Sequence, residues 1–388
     1  MAFVIEFVDS CKDIEPELWG RCFPAPLEGL FWYETLETCG LTDQFKFGYA
    51  LIKSGQETVG IAPCFVHDVP ISLVAPPALA KVLNIVSKVV PQAGYQRTMF
   101  VGSPCSEEGT IGLLPGVELK DVISPLSRAV AARARTFKAP MVVFKDCPAE
   151  SREAMERLCL EQKYFHMMSY PGTVMKLAGT SIEGYFAALA RTKRHNFKKK
   201  LRRSKEELTL TTTFVKRPTD EELAELFALF MQTYEKGKTK FEKLSIDFFV
   251  KIRETEPAWF ILQREPATGK LVTFMLVFKL GERIVNKFIG LDYQRAGTTF
   301  LYFRQFEAAL NFAYEHGMSE FQSGQTGYRA KLDLGHDLVT LHNYCRHANA
   351  MVNAVFTMVA KDVTLVTLDP DLETYLKAHK DKAELLAE

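Results

Sequence analysis

The stretch from Ala258 to Gln322 restricts the fold more than any other part of the chain. Ala258–Arg264 and Leu271–Leu280 are strand-like apolar runs joined by the turn Pro266-Ala267-Thr268-Gly269. Residues 284–291 form a third such run. It leads through Tyr293-Gln294-Arg295-Ala296-Gly297-Thr298-Thr299 into a long helical pattern over 299–316, which Gly317 ends. Residues 319–322 read as the following strand. Hairpin, strand, glycine turn, helix and strand, in that order, specify a mixed α/β unit.

The first half carries the same order. It opens with helical material, and residues 27–39 place Leu30, Phe31, Tyr33 and Leu36 at helical spacing. Two runs, 47–53 and 58–66, flank the turn Ser54-Gly55-Gln56 and predict a hairpin. Residues 122–137 read as a helix and 140–145 as a buried strand. In the second half, Asp220–Lys236 is a helix with Thr219 as its N-cap before an acidic first turn, and 245–254 is another. A duplicated α/β architecture is expected, with one copy over residues 1–178 and a second over 179–365. Residues 366–388 form a charged C-terminal helix or tail, and residues 174–180 bridge the halves.

Composition supports two globular domains. The chain has 388 residues, of which 47% are hydrophobic and 24% charged, and a net charge of +1. No global field draws nucleic acid or an anionic membrane, so an ionic partner needs a local patch. Eight cysteines include no Cys-x-x-Cys pair. Without a secretory pattern at the start, they are expected to be reduced in a cytoplasmic protein. The apolar stretch 348–360 is too short to span a bilayer.

Three segments carry candidate chemistry. A glycine turn before a helix N-terminus exposes N–H groups and the positive end of the helix dipole, a place for phosphate. Gln294, Gly297 and Thr298 are the candidates there. A basic run from Arg191 to Lys205 contains no acidic residue, and Arg194 and Lys198 share a helical face with Arg191 and Arg202. A solvated helix face is the bland alternative to an anion site. The third is Gln322-Ser323-Gly324-Gln325-Thr326-Gly327-Tyr328-Arg329-Ala330-Lys331, at a strand's C-terminal end, where α/β folds collect ligands. Gln325, Tyr328 and Lys331 are the catalytic candidates, and His342 is a candidate proton carrier. His336, His342 and His347 have no metal-site spacing, so no metal is expected.

Taken together, these segments resemble the FemAB-like branch of the GNAT acyltransferase superfamily. The resemblance rests on the basic stretch with Asn196, on residues 300–317 ending in Glu315-His316-Gly317, and on Ser323 to Lys331 followed by His342. Trp19, the helix around Phe31 to Leu36 and the strand from Val59 to Phe65 fit that family's opening. Gln294 and Gly297 match the GNAT donor-phosphate pattern, with Thr299 where Gly or Ala is usual. The resemblance implies tandem GNAT-like domains, each a mixed twisted sheet flanked by helices, with one transfer site in the second copy. The first copy would shape the cleft and the acceptor. The implied activity moves an acyl or aminoacyl group to an amine of a small-molecule or peptide acceptor. Acyl-CoA, acyl-carrier protein or aminoacyl-tRNA would be a co-substrate, with no tightly bound cofactor, in a monomer or homodimer. Two other readings remain: a non-catalytic GNAT-like binding module for a nucleotide-linked or peptide ligand, and a nucleic-acid-binding protein using the basic helix.

Overall fold

A computed structural model describes residues 3–70, 94–237, 242–295 and 299–386. Within them the chain divides into two compact units. Unit 1 comprises Met1–Pro24, Leu41–Pro171 and Thr340–Glu388; unit 2 comprises Ala25–Gly40 and Gly172–Val339.

Unit 1 holds β1 (Phe3–Val8), β2 (Lys46–Ser54), β3 (Glu57–Pro70), β4 (Tyr95–Val101), β5 (Gly112–Leu113), β6 (Met141–Pro148) and β7 (Phe165–Met168). Unit 2 holds β8 (Gly172–Lys176), β9 (Thr211–Val215), β10 (Ala258–Arg264), β11 (Leu271–Leu280), β12 (Arg283–Leu291), β13 (Glu320–Ser323) and β14 (Asp337–Val339). The last strand, β15 (Leu341–His347), belongs to the first sheet. The strand orders are β1-β2-β3-β4-β6-β15-β7, with β5 on β3, and β9-β10-β11-β12-β13-β8-β14.

Laid side by side, the two orders match position for position. In each sheet antiparallel hairpins lead to one parallel pair, β4 with β6 and β12 with β13. Parallel neighbours need a crossover. The helices Leu119–Thr136 and Leu301–Glu315 supply it, where the sequence pattern places helices. The chain therefore has the mixed α/β, tandem GNAT-like architecture.

A cut between residues 178 and 179 would give two contiguous domains, and the strand exchange departs from it. The sixth strand of each seven-strand order comes from the other half of the sequence: β15 lies between β6 and β7, and β8 lies between β13 and β14. Thr340 alone separates β14 in one sheet from β15 in the other. Residues 366–388 likewise belong to unit 1, as the helices Pro370–Ala378 and Lys380–Leu385. The start also differs from the helical opening expected. Phe3–Val8 is a strand with inward and outward residues alternating, paired antiparallel with β2.

The second sheet is covered on both faces, which is why β11 reads as a continuous apolar run. On one face Ile261, Met275 and Val277 meet Phe306, Leu310 and Ala313 of the crossover helix. On the other, Phe249 packs edge-on against Phe230 and Phe274. The helix Asp220–Lys236 begins with a capping box between Thr219 and Glu222. Among the described residues no helix is long and apolar enough to cross a membrane.

Candidate active site

The parallel pair of unit 2 opens where its register stops. β12 and β13 pair from Arg283↔Glu320 to Asn286↔Ser323. β12 then runs on to Leu291, while β13 ends at Ser323. A bulge sits at this fork: on the β11 side Leu276 faces Phe288 and Val277 faces Asn286, which skips Lys287. Such a bulge bends the strand and re-aims its side chains. Lys287 is held there by a buried ion pair with Glu28, its ammonium 4.3 Å over the Trp32 ring.

Ser323 leads into the turn Gly324-Gln325-Thr326-Gly327. Thr326 (φ 73°) and Gly327 (φ 64°) are both left-handed. Glycine takes that conformation freely; threonine does so at a cost of about 1–2 kcal/mol. A short helix, Tyr328–Asp333, follows and closes back on the turn. The ammonium of Lys331, a residue 7% exposed, donates to the Gly324 carbonyl. Tyr328, the first residue of this helix, is fully buried. Behind Lys331, His336 is 1% exposed, with Nδ1 3.1 Å from the Lys331 carbonyl. Burial, and then the Lys331 charge, push its pKa down to about 3, so the ring is neutral at physiological pH.

Two buried polar atoms at this fork lack a partner. They are Asn286 Oδ1, whose Nδ2 donates to Ser323 Oγ at 3.4 Å, and Gln325 Nε2. Each such atom costs about 1–3 kcal/mol. One is an acceptor and the other a donor, which are the groups that meet an amide N–H and a carbonyl. Unit 2 thus brings together Gln325, Tyr328 and Lys331, and adds Asn286. The sequence signal for Asn286 is faint: a polar Asn-Lys pair interrupting an apolar strand, readable only once the bulge is known.

Other candidates fall elsewhere. Gln294 is exposed, and its N–H donates to Asp292 Oδ1 at 3.1 Å. Arg295 beside it pairs with Glu265 at 3.0 Å. Gly297 and Thr298 lie outside the described residues. The crossover helix starts at Leu301, two residues later than its pattern suggests. Its N-cap is Phe300 (φ 49°), with no side-chain cap bond. The basic helix exists as Arg191–Glu207, and Phe197 and Leu201 are its buried anchors. The Arg194 guanidinium donates to the carbonyls of Phe186 and Ala187. Lys198 is exposed, with its ammonium 4.8 Å over the Phe186 ring. Much of the remaining charge is paired, as in Lys200 with Asp333 and Lys205 with Glu307.

His342 belongs to unit 1. It is the second residue of β15, 5% exposed, with Nδ1 2.8 Å from His166 Nε2. Burial, then the neighbouring His166, lower its pKa to about 4. Among the described residues no group of three or more His, Cys, Asp or Glu could hold a metal ion.

The fold has counterparts among known proteins. The structure of FemX is similar over 90% of this chain and 99% of its own, at 12% identity and a TM-score of 0.56. L-PGS from Bacillus licheniformis is similar over 85% and 96%, at 11% identity and a TM-score of 0.51. A tandem GNAT protein from the clavulanic acid biosynthesis pathway is similar over 89% and 99%, at 14% identity and a TM-score of 0.51. At these identities the likeness is one of fold. No curated protein matches the chain. The family model described as peptidoglycan biosynthesis/recognition matches residues 117–365, which include the fork, the turn and the crossover helix. The chain therefore belongs to the FemAB-like family, a branch of the GNAT fold.

Proposed function

We propose that unit 2 transfers an acyl or aminoacyl group from an activated donor to the amine of a small-molecule or peptide acceptor. One observation carries this reading: the fork between β12 and β13 is lined by an unspent donor, Gln325 Nε2, and an unspent acceptor, Asn286 Oδ1. Family membership supports it.

In the reaction, the unprotonated amine attacks the carbonyl carbon. A C–N bond forms, and the C–S bond of a thioester or the C–O bond of an ester breaks. The proton lost by the amine ends on the released thiol or hydroxyl. Gln325 Nε2 would donate to the oxygen that gains charge, and Asn286 Oδ1 would fix an N–H of the bound chain. Tyr328 and Lys331 act as positioning residues, since the buried tyrosine and the Gly324-bound ammonium hold the turn. His342 has no step here, because its ring is engaged by His166 within unit 1. The donor's phosphates, from acyl-CoA, a carrier protein or aminoacyl-tRNA, would meet the loop of Gln294, Gly297 and Thr298. The uncapped start of Leu301–Glu315 and the exposed Lys198 lie on the same unit.

The test is a transfer assay on the full chain. Labelled acyl-CoA, acyl-carrier protein and aminoacyl-tRNA would be offered in turn with a panel of amines. One donor class should give amide product at a rate that depends on Gln325 and Asn286. Absence of product from all three, alongside saturable binding of a donor, would replace this reading with the binding-module one.

A further inference from the structure

Unit 1 contains a cavity of about 630 Å³ that no step above uses. Its walls come from the helix Arg152–Gln162, β7, the helix Ala350–Ala360 and the C-terminal segment. The volume lies within the range of small-ligand sites, about 300–1,000 Å³. Phe165, Met168, Leu365, Val366 and Leu376 give it apolar walls. Of the ionisable rings on the wall, His166 is already bonded to His342, and the Tyr164 hydroxyl accepts from Ser127. Cys159, also on the wall, has its thiol pushed up to about 11 by burial, so it stays protonated and is no nucleophile.

Two features say what the cavity takes. The elements that build it also carry most of the exposed large apolar side chains among the described residues: Leu160 (85% exposed), Met351 (77%), Met358 (62%), Val355 and Val366. Large apolar side chains left exposed on the elements around one cavity point to an interaction surface. Second, Lys361 both lines the cavity and is exposed, at its mouth. Among the described residues its ammonium has no hydrogen bond or ion pair, whereas Glu156, the acidic residue of the lining, pairs with Arg152 at 2.9 Å. A sugar or nucleotide would find too few polar partners here, and a polyphosphate too few cations.

We infer that this cavity binds a single aliphatic chain with an anionic head, such as a medium- or long-chain carboxylate, the chain inside and the head on Lys361. The site belongs to unit 1 and is independent of the transfer chemistry proposed for unit 2.

The experiment is calorimetric titration of the full-length protein with dodecanoate below its micelle threshold. Dodecyltrimethylammonium serves as the charge-reversed probe. Saturable one-to-one binding of dodecanoate is expected, with the cationic probe weaker by about tenfold or more, near 1.4 kcal/mol. Lys361→Glu should weaken dodecanoate by a similar factor, and Val366→Arg, at the exposed mouth, should weaken both probes. Both substitutions are at exposed positions, and unchanged thermal unfolding checks their folding. Absence of saturable binding, or binding indifferent to both substitutions, overturns the inference. So does binding to phosphatidylglycerol vesicles without binding to free dodecanoate, which would make the methionine face of Ala350–Ala360 a membrane-adsorbing surface instead.

Discussion

The two sheets share one strand order, yet their parallel forks are finished differently. In unit 1, β4 and β6 pair from Thr98↔Met141 to Val101↔Phe144 and then part, as β12 and β13 do. The loop after β4 turns back onto β6: Gly109 N–H donates to the Asp146 carbonyl at 2.8 Å. A Cβ on Gly109 would lie 1.7 Å from the Lys145 carbonyl oxygen, so only glycine fits. Lys145 and Asp146 then fill the gap as an ion pair. The ammonium also reaches the Ser103 carbonyl at 3.2 Å, Ser169 donates to the Asp146 carboxylate, and Asn343 of the exchanged strand accepts from its N–H at 2.8 Å. In unit 2 the chain after β12 stays beside β11 instead, with Asp292 N–H on the Val272 carbonyl. There Gln325 and Asn286 keep unspent polar atoms. The unit 1 fork is closed by the Lys145–Asp146 pair and its partners, whereas the unit 2 fork keeps Gln325 Nε2 and Asn286 Oδ1 for a ligand. This contrast supports the proposal that the chemistry lies in the second copy.

The contrast can be broken by substitution. Asp146→Ala should have the largest effect. It strands a mostly buried Lys145 ammonium and should lower unfolding free energy by about 3–5 kcal/mol in chemical denaturation. A loss below about 1 kcal/mol would mean that the unit 1 fork is not held by this pair. Gln325→Ala should behave in the opposite way. Transfer should slow by about 100-fold with no loss of stability, because the Nε2 it removes has no partner in the protein. A stability loss without a rate loss would make unit 2's fork another structural plug. Gly109→Ala should cost about 1–3 kcal/mol as the loop is forced off β6. A neutral outcome there would show that the loop is not locked to the strand.

The smallest effect concerns pH. Each unit buries a neutral histidine, His342 with His166 in unit 1 and His336 beside Lys331 in unit 2. Their folded pKa values, about 4 and about 3, lie below the ordinary 6.5. Below pH 6.5 the unfolded chain binds these protons and the folded one does not. Stability is therefore intact above pH 6.5 and falls as pH drops toward 4 and then 3. His336→Phe should flatten the fall and extend the flattening to the lower end. Its aromatic neighbours Phe306 and Phe321 can accept the ring, and the Lys331 carbonyl keeps N–H partners from Leu334 and His336. An unchanged profile would remove His336 from the account.

Much of the fold was legible because its signals are local. The hairpins lie where alternating runs flank turns, as in β2 and β3, which meet at Ser54↔Glu57 around Gly55 (φ 63°). The crossover helices and the Thr219 cap follow the apolar spacing and the acidic first turn. Strand β4 was less visible, since its first half, Tyr95-Gln96-Arg97, is polar and only Thr98 to Val101 is buried. The turn from Gly324 to Lys331 stood out through its glycines and polar residues. Its internal wiring, with the Lys331 ammonium spent on Gly324, did not.

The sequence by itself determined much of the element order and the duplication, because periodicity, turn residues and caps act over a few residues. Tertiary structure decided which strand joins which sheet. A single residue, Thr340, separates β14 from β15, and no local pattern marks that the chain changes sheets there. That exchange places His342 in unit 1 while Lys331, eleven residues earlier, stays in unit 2. It also brings Asn343 to the Asp146 plug, and the bulge at Lys287 sets where the neighbouring Asn286 stands at the fork. Pairing between strands nearly 200 residues apart depends on burial and backbone hydrogen bonds that exist only once both sheets are formed.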